Sequence, residues 1–395
     1  MAGLEEKLCP VCFQEAMEHG ECRNCGYHAE ESSAVKDYLA PFTILKEKYL
    51  LGKSLGQGGF GITYLAENMQ SGLRCCIKEY FPSGLLQGRT PDGALILADE
   101  ENRPEYEEGK QQFIEEACAL QELRENISVV DILDFFEENG TAYFAMELIE
   151  GCNLRVFRKN HNPKQTLKMA LQMLFLLGSS LAEVHRFGMI HGDISPENIL
   201  ITQDGEIKLI DFGAARSFRQ GSDNKERKIY LKPNYAPYEQ YTQKPCQGPW
   251  TDIYALAATF YFIVSGRKML DALSRAKGAS YPPLHELCPA VSRQLSDVID
   301  KALAFDYHDR YRRMLDFLDA LEQVVRPEDY DIDLGALMPK SKASKQAEIH
   351  VETSDDSEKM CQVEEQNMPE PKRLAAFFHP KKRRLAYLEL TMRKS

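Results

Sequence analysis

The sequence is short of positive charge, of long apolar runs and of a cysteine framework, and each shortage removes a class of function. Its 48 Lys and Arg against 60 Asp and Glu leave a formal net charge of −12. Binding to phosphate backbones needs concentrated positive charge, so no specific nucleic acid is expected as a partner. The most apolar stretch, Leu167 to Leu181, is too short and too amphipathic to span a bilayer, and the N-terminus carries no signal pattern. A soluble, cytoplasmic protein without a transmembrane segment is the expectation. Of the 11 cysteines, Cys75, Cys76, Cys118, Cys152, Cys246, Cys288 and Cys361 are scattered. That usage suits a reducing compartment rather than a disulfide scaffold.

What is present divides the chain into four parts. Residues 1–28 hold the other four cysteines as two close pairs, in a segment too small to bury an apolar core without a staple. Residues 29–48, with Glu30, Glu31, Ser32 and Ser33 ahead of Pro41, read as a linker. Residues 49–326 run from strand-like to helix-like patterns without internal repeats. Strands come first, around one helix from Phe113 to Leu123, and long helices follow near 165–185, 251–265, 292–304 and 314–325. An α+β architecture is implied, with a small sheet lobe preceding a large helical one. Residues 327–395 lose hydrophobic periodicity and pass from an acidic stretch (Glu348, Glu352, Asp355, Asp356, Glu358) to a basic end (Lys372, Arg373, Lys381, Lys382, Arg383, Arg384). That composition reads as a mostly disordered tail. Leu374, Phe377, Phe378 and Leu385 interleave with the basic charge, which offers a weak contact with an anionic surface, although such tails are more often simply solvated.

Cys9-Pro10-Val11-Cys12 and Cys22-Arg23-Asn24-Cys25 each make a C-x2-C knuckle, and together they offer four thiolates for a tetrahedral Zn²⁺ site. With every position filled by protein, the zinc is expected to be structural and to fold a small ribbon. Two disulfides or four unrelated thiols are the competing reading. The ribbon has few basic residues (Lys7, Arg23), so protein contact is its expected role rather than reading of nucleic acid.

Leu55-Gly56-Gln57-Gly58-Gly59-Phe60-Gly61 contains G-x-G-x-x-G, whose glycines let a backbone close on phosphates. Alone the pattern is weak, because dinucleotide-binding folds share it. There it opens a helix, whereas here Ile62-Thr63-Tyr64-Leu65-Ala66 continues as a strand, which favours ATP. Cys75-Cys76-Ile77-Lys78 then ends a strand on a lysine placed for the α- and β-phosphates. On the helix from Phe113, the apolar stripe is set by Phe113, Ala117 and Leu120. Glu116 falls beside that stripe while Glu115 points away. A carboxylate on an apolar face needs a partner, so Lys78 with Glu116 is the expected ion pair.

Ile190-His191-Gly192-Asp193-Ile194-Ser195-Pro196-Glu197-Asn198 precedes two strand-like arms, Ile199 to Thr202 and Ile207 to Ile210, joined through Asp204-Gly205 and followed by Asp211-Phe212-Gly213. Such a hairpin brings Asn198 beside Asp211, two oxygen donors suited to Mg²⁺. Asp193, in the loop before, is placed to accept the proton of an incoming hydroxyl.

Gly56 to Gly61, Lys78, Glu116, His191-x-Asp193, Asn198 and Asp211-Phe212-Gly213 occur in the order of the protein kinases, and the chain resembles that family from Tyr49 to about Val325. Asn234-Tyr235-Ala236-Pro237-Tyr238-Glu239 resembles the Ala-Pro-Glu element that ends kinase activation segments. Asp252 opens an apolar helix resembling the central helix of the large lobe, and Arg310 matches the arginine that pairs with that glutamate, here Glu239. By the same resemblance, Met146, Glu147, Leu148 and Ile149 form the hinge under adenine. Gly-Gln-Gly-Gly-Phe-Gly-Ile-Thr-Tyr, Ile77-Lys78-Glu79-Tyr80-Phe81-Pro82 and the long insertion between Pro82 and Gln112 look most like a bacterial serine/threonine kinase group, some of whose members carry zinc ribbons. The resemblance implies a bilobal kinase fold at 49–326, ATP and Mg²⁺ as ligands, and protein Ser/Thr hydroxyls as acceptors in a signalling role.

Three departures stand out. Gly192 occupies the place of the arginine that usually precedes the catalytic aspartate, so no guanidinium is available there for an activation-loop phosphate. Ser217, Ser222 and Tyr230, the hydroxyl residues between Asp211 and Asn234, are therefore expected to be dispensable. Ser195 and Lys232 stand where serine/threonine kinases usually have Lys and Thr, as though the two had exchanged places. In that reading Lys232 supplies the cation near the γ-phosphate, and a solvent-exposed Lys232 is the alternative. Cys75 and Cys76 replace small apolar residues and are expected to be small buried hydrophobes rather than a redox switch. An inactive scaffold using the ribbon to bind proteins is the main rival to an active enzyme. Retention of Lys78, Glu116, Asp193, Asn198 and Asp211 argues against that rival, and a small-molecule kinase fits the Asp-Phe-Gly and Glu239–Arg310 elements poorly.

Overall fold

In the N-terminal ribbon, two short strands, β1 (Met17–Glu18) and β2 (Glu21–Cys22), pair through a turn at His19-Gly20. The structure, a computed structural model, describes residues 7–29, 37–58, 61–123, 128–212, 216–217, 231–242 and 246–330. Gly59, Phe60, Gly213, Ser222, Tyr230 and the acidic-then-basic tail lie outside the described residues, as do the side chain of Ser217 and residues 30–36 of the expected linker. The described end of that linker is not a free spacer. β3 (Ile44–Leu45) is an edge strand of the next sheet, and Leu39 and Leu45 are buried in it, because residues 37–48 carry apolar side chains that the strands behind them can cover.

The sheet continues with β4 (Tyr49–Gln57), β5 (Gly61–Asn68) and β6 (Leu73–Tyr80). β7 (Leu86–Arg89) and β8 (Leu95–Leu97) form a separate hairpin in the insertion, and α1 (Arg103–Glu122) follows. α1 starts ten residues before the expected Phe113. Its first turns carry Glu105, Glu107, Glu108, Lys110 and Gln111, which give no apolar periodicity, and only Pro104 near the N-terminus marks the start. β9 (Ile132–Glu138) and β10 (Thr141–Glu147) complete an antiparallel sheet of order β3-β4-β5-β6-β10-β9.

The second lobe begins with β11 (Gly151–Asn153), α2 (Leu154–Asn160) and α3 (Pro163–Arg186). Length and composition would let α3 cross a membrane, contrary to the expectation for this stretch. It is instead a core helix, with Met169, Met173, Leu177, Leu181 and Val184 fully buried against the rest of the lobe. β12 (Met189–Ile190), β13 (Ile199–Thr202), β14 (Ile207–Leu209) and β15 (Arg216–Ser217) lie between it and α4 (Pro249–Ser265). α4 is apolar all round and buried from Thr251 to Ile263, as the central helix of a lobe must be. α5 (Ala272–Ala276), α6 (Leu284–Leu287), α7 (Arg293–Ala302) and α8 (Met314–Glu322) surround it. One apolar cluster runs from Phe113 and Phe144 in the sheet lobe to Phe260 and Phe317 in the helical lobe, so the fold is the expected small sheet lobe on a large helical one.

Candidate active site

The sheet places the lysine. β6 pairs with β5 on one side and β10 on the other, and Lys78 ends up 6% exposed between the lobes. Its ammonium donates to Asp211 Oδ1 at 2.8 Å rather than to Glu116, which corrects the expected ion pair. Glu116 is where the helical stripe put it, buried beside Phe113, Ala117 and Leu120, with Glu115 exposed. Among the described residues, however, its Oε1 has no hydrogen-bond partner. A buried carboxyl needs a cation only when it is ionised. Burial, only partly opposed by Lys78, pushes Glu116 up to about 8, and a neutral carboxyl does not require a cation. The Lys78 ammonium pulls Asp211 the other way, down to about 2.

The β13–β14 hairpin has the expected register, Ile199 opposite Leu209, and Gly205 turns it at φ +84°. Ile210 N–H donates to Asn198 O at 2.9 Å, which sets Asn198 beside Asp211. Asp211 holds φ +65°, a left-handed conformation that costs a non-glycine residue on the order of 1 kcal/mol. Asn198 Nδ2 donates to Asp193 O and Oδ2, leaving its amide oxygen as the atom that can face a cation. An ionised carboxylate beside an amide oxygen is a donor set that fits Mg²⁺.

His191 and Gly192 are held by Asp252 at the start of α4. Its Oδ2 accepts from His191 N–H at 2.8 Å and its Oδ1 from Gly192 N–H at 2.9 Å, while His185 Nε2 also contacts Oδ2. The arrangement needs Gly192 at φ +76°, which accounts for a glycine here beyond the loss of arginine. His191 Nδ1 accepts from Asp193 N–H, its Nε2 then donates to Ile210 O, and burial holds the ring below its usual range and neutral. Asp193 therefore sits on a fixed loop. Burial pushes its carboxyl up, and Lys232 pulls it back: Lys232 Nζ lies 2.9 Å from Asp193 Oδ2 and donates to Ser195 Oγ at 2.8 Å. The exposed-loop alternative for Lys232 is not what is found.

Gly56 and Gly58 have open space where a Cβ would project, which leaves room for phosphates. Gly61 is glycine for another reason: a Cβ there would stand 2.4 Å from Glu79 O of the neighbouring strand. At the hinge end of β10, Glu147 Oε1 accepts from Asp131 N–H and from Lys208 Nζ, a tie to β14. Ile149 follows Glu147 in the connection to β11. Cys75 and Cys76 are buried, and burial pushes both thiols up to about 12, as expected of small apolar side chains rather than redox groups.

Two features were not found from sequence. Glu79, fully buried, accepts from Tyr64 and Tyr143 hydroxyls and from Arg89 Nη2 at 2.5 Å, which locks the insertion hairpin onto the sheet. The ribbon, too, is docked, for Lys53 N–H of β4 donates to Pro10 O at 2.9 Å. The sulfurs of Cys9, Cys12, Cys22 and Cys25 all lie within 4.8 Å of one another, and all four cysteines are free of disulfides. Four thiolates about 2.3 Å from one tetrahedral zinc stand about 3.8 Å apart, so the cluster fits that ion. Farther from the cleft, Arg310 and Glu239 form the expected pair, bidentate at 2.7 and 3.1 Å and buried.

The protein kinase domain family matches residues 49–319. Serine/threonine-protein kinase F of Synechocystis is 31% identical over 286 residues, covering 68% of this chain and 53% of that protein. Serine/threonine-protein kinase PknA of Nostoc is 29% identical over 289 residues, covering 71% and 48%. The chain thus spans about half the length of these two relatives. A solved structure described as PpkA-294 apo form is similar at a TM-score of 0.61 and 34% identity, covering 72% of this chain and all of that one. With the lysine, the catalytic loop and the metal hairpin in one cleft between the lobes, the chain belongs to the protein kinase family and has bacterial serine/threonine-protein kinases among its relatives.

Proposed function

We propose that the protein is an active kinase that moves the γ-phosphate of ATP onto Ser or Thr hydroxyls of proteins. The observation that carries this reading is the convergence of Lys78, Asp193, Asn198 and Asp211 in one cleft. Gly56 and Gly58 leave space over the triphosphate, Glu147 and Ile149 line the adenine end, and Lys78 meets the α- and β-phosphates. Asn198 and Asp211 would hold Mg²⁺, which when bound neutralises charge on the phosphates. Asp193 accepts the hydroxyl proton as the acceptor oxygen bonds to the γ-phosphorus, the bond to the β-phosphate oxygen breaks, and ADP leaves. A carboxyl raised by burial is a better base than an exposed one. Glu116 lies behind Lys78 and acts on its charge without a hydrogen bond to it.

The four-cysteine ribbon supports a structural zinc, with protein contact as its role. One observation favours the second reading, an inactive scaffold: Glu116 Oε1 has no hydrogen-bond partner among the described residues. ADP release with a generic protein acceptor separates the two. The active reading expects Mg²⁺-dependent release by the wild type and a loss of about 10²-fold or more in Asp193→Asn. Equal, background-level release from both would favour the scaffold.

A further inference from the structure

The catalytic loop of this protein carries no cation of its own. Gly192 precedes Asp193, and Ser195, two residues after it, is fully buried and neutral. The positive charge beside Asp193 arrives instead from the segment that ends at Glu239. Lys232 Nζ lies 2.9 Å from Asp193 Oδ2 and 2.8 Å from Ser195 Oγ, with about a third of its side chain still exposed. Its backbone is pinned as well. Lys232 O accepts from Tyr235 and Ala236 N–H at 2.9 Å, Asn234 Nδ2 donates to Met269 O, and Gln240 Nε2 reaches Gly192 O at 2.8 Å.

We infer that Lys232 is a catalytic residue that contacts the γ-phosphoryl group in transfer, and that Ser195 is the hydroxyl that aims it. The inference rests on the kinase reading above. An acceptor oxygen must come within hydrogen-bond reach of Asp193, and the phosphorus it attacks lies about 3–3.5 Å further on. An ammonium touching the same Asp193 oxygen therefore reaches the equatorial oxygens, where charge accumulates in the transition state. No other Lys or Arg among the described residues is hydrogen-bonded or ion-paired to Asp193. Because the cation is carried by the activation segment, folding of residues 231–242 and completion of the catalytic centre are one event.

The test is turnover of full-length wild type, Lys232→Met and Ser195→Ala across pH 6.5–9, alongside Mg-ATP affinity and thermal melting. Lys232→Met is expected to lose about 10²-fold in kcat at every pH, with ATP affinity and melting close to wild type. Ser195→Ala, which frees the ammonium without removing it, is expected to lose less than tenfold. A lysine that merely lowered the Asp193 pKa would give a loss recovered at high pH, and that recovery would overturn the inference. So would Lys232→Met within threefold of an active wild type, which would leave the kinase reading standing. An inactive wild type that still binds Mg-ATP would overturn both.

Discussion

Lys78 and Asp211 form a direct ion pair, 2.8 Å from Nζ to Oδ1, across the cleft between a sheet strand and the metal hairpin. The pair explains why Glu116, on the helix behind, can remain buried: the ammonium is already satisfied and the glutamate is free to hold a proton. One cation between two carboxyls is shared unequally, Asp211 being driven to its ionised form and Glu116 to its neutral one.

A pH dependence follows from Glu116. Its carboxyl titrates at 4.5 when unperturbed and at about 8 when folded. Between those values the folded protein holds a proton that the unfolded chain has released, so this group makes stability fall as pH rises. Glu116→Gln removes that slope. In urea denaturation without nucleotide, the stability of the variant relative to wild type should increase from pH 5.5 to pH 8.5. A difference that is flat or that shrinks would show Glu116 to be ionised.

The Glu239–Arg310 pair is fully desolvated, with Thr251 Oγ1 also donating to Glu239. Removing one partner strands a buried charge, so Arg310→Ala is expected to cost about 3–5 kcal/mol. The double change Arg310→Met with Glu239→Leu should cost less than either single change. Additive losses in a double-mutant cycle would contradict the geometry.

Much of the site was legible because local pattern decides it. The Phe113 stripe fixes which glutamate is buried, and the Asp204-Gly205 turn fixes the register that sets Asn198 beside Asp211. The Glu79 network was not legible, since β6 is buried on both faces and loses the alternation that marks an inward side chain. Arg89, its partner, lies beyond a loop in an insertion whose length tells nothing of where it folds. Lys232 was readable only as an exchange with Ser195, and the distances to Asp193 and Ser195 came with the fold.

Arg89 also donates through Nε to Asp37 O and through Nη1 to Gly93 O, so one guanidinium joins the chain before β3, the insertion hairpin and Glu79. Arg89→Ala is expected to destabilise the protein by about 3 kcal/mol, and Arg89→Lys to recover less than half of that, because an ammonium cannot reproduce the planar fork. Full recovery by lysine in denaturant titrations would mean that charge alone suffices.

The ribbon offers two linked tests. One zinc per chain is expected by elemental analysis, and Cys22→Ser should abolish it while leaving the main melting transition in place. At the docking edge, a Cβ on Gly52 would stand 2.2 Å from Pro10 O. Gly52→Val should therefore break the Lys53 N–H to Pro10 O bond and speed exchange of the Lys53 amide at least tenfold. Unchanged exchange would show that the ribbon is not seated on β4.

Phosphoryl transfer itself is the reaction to be measured. Radiolabelled ATP with the label at the γ-position, a generic protein acceptor and Mg²⁺ should yield phosphoserine or phosphothreonine with the wild type, and labelling should fall about 10²-fold or more in Asp211→Asn. Labelling that persists in Asp211→Asn, or a wild type that binds Mg-ATP yet labels nothing, would contradict the kinase reading.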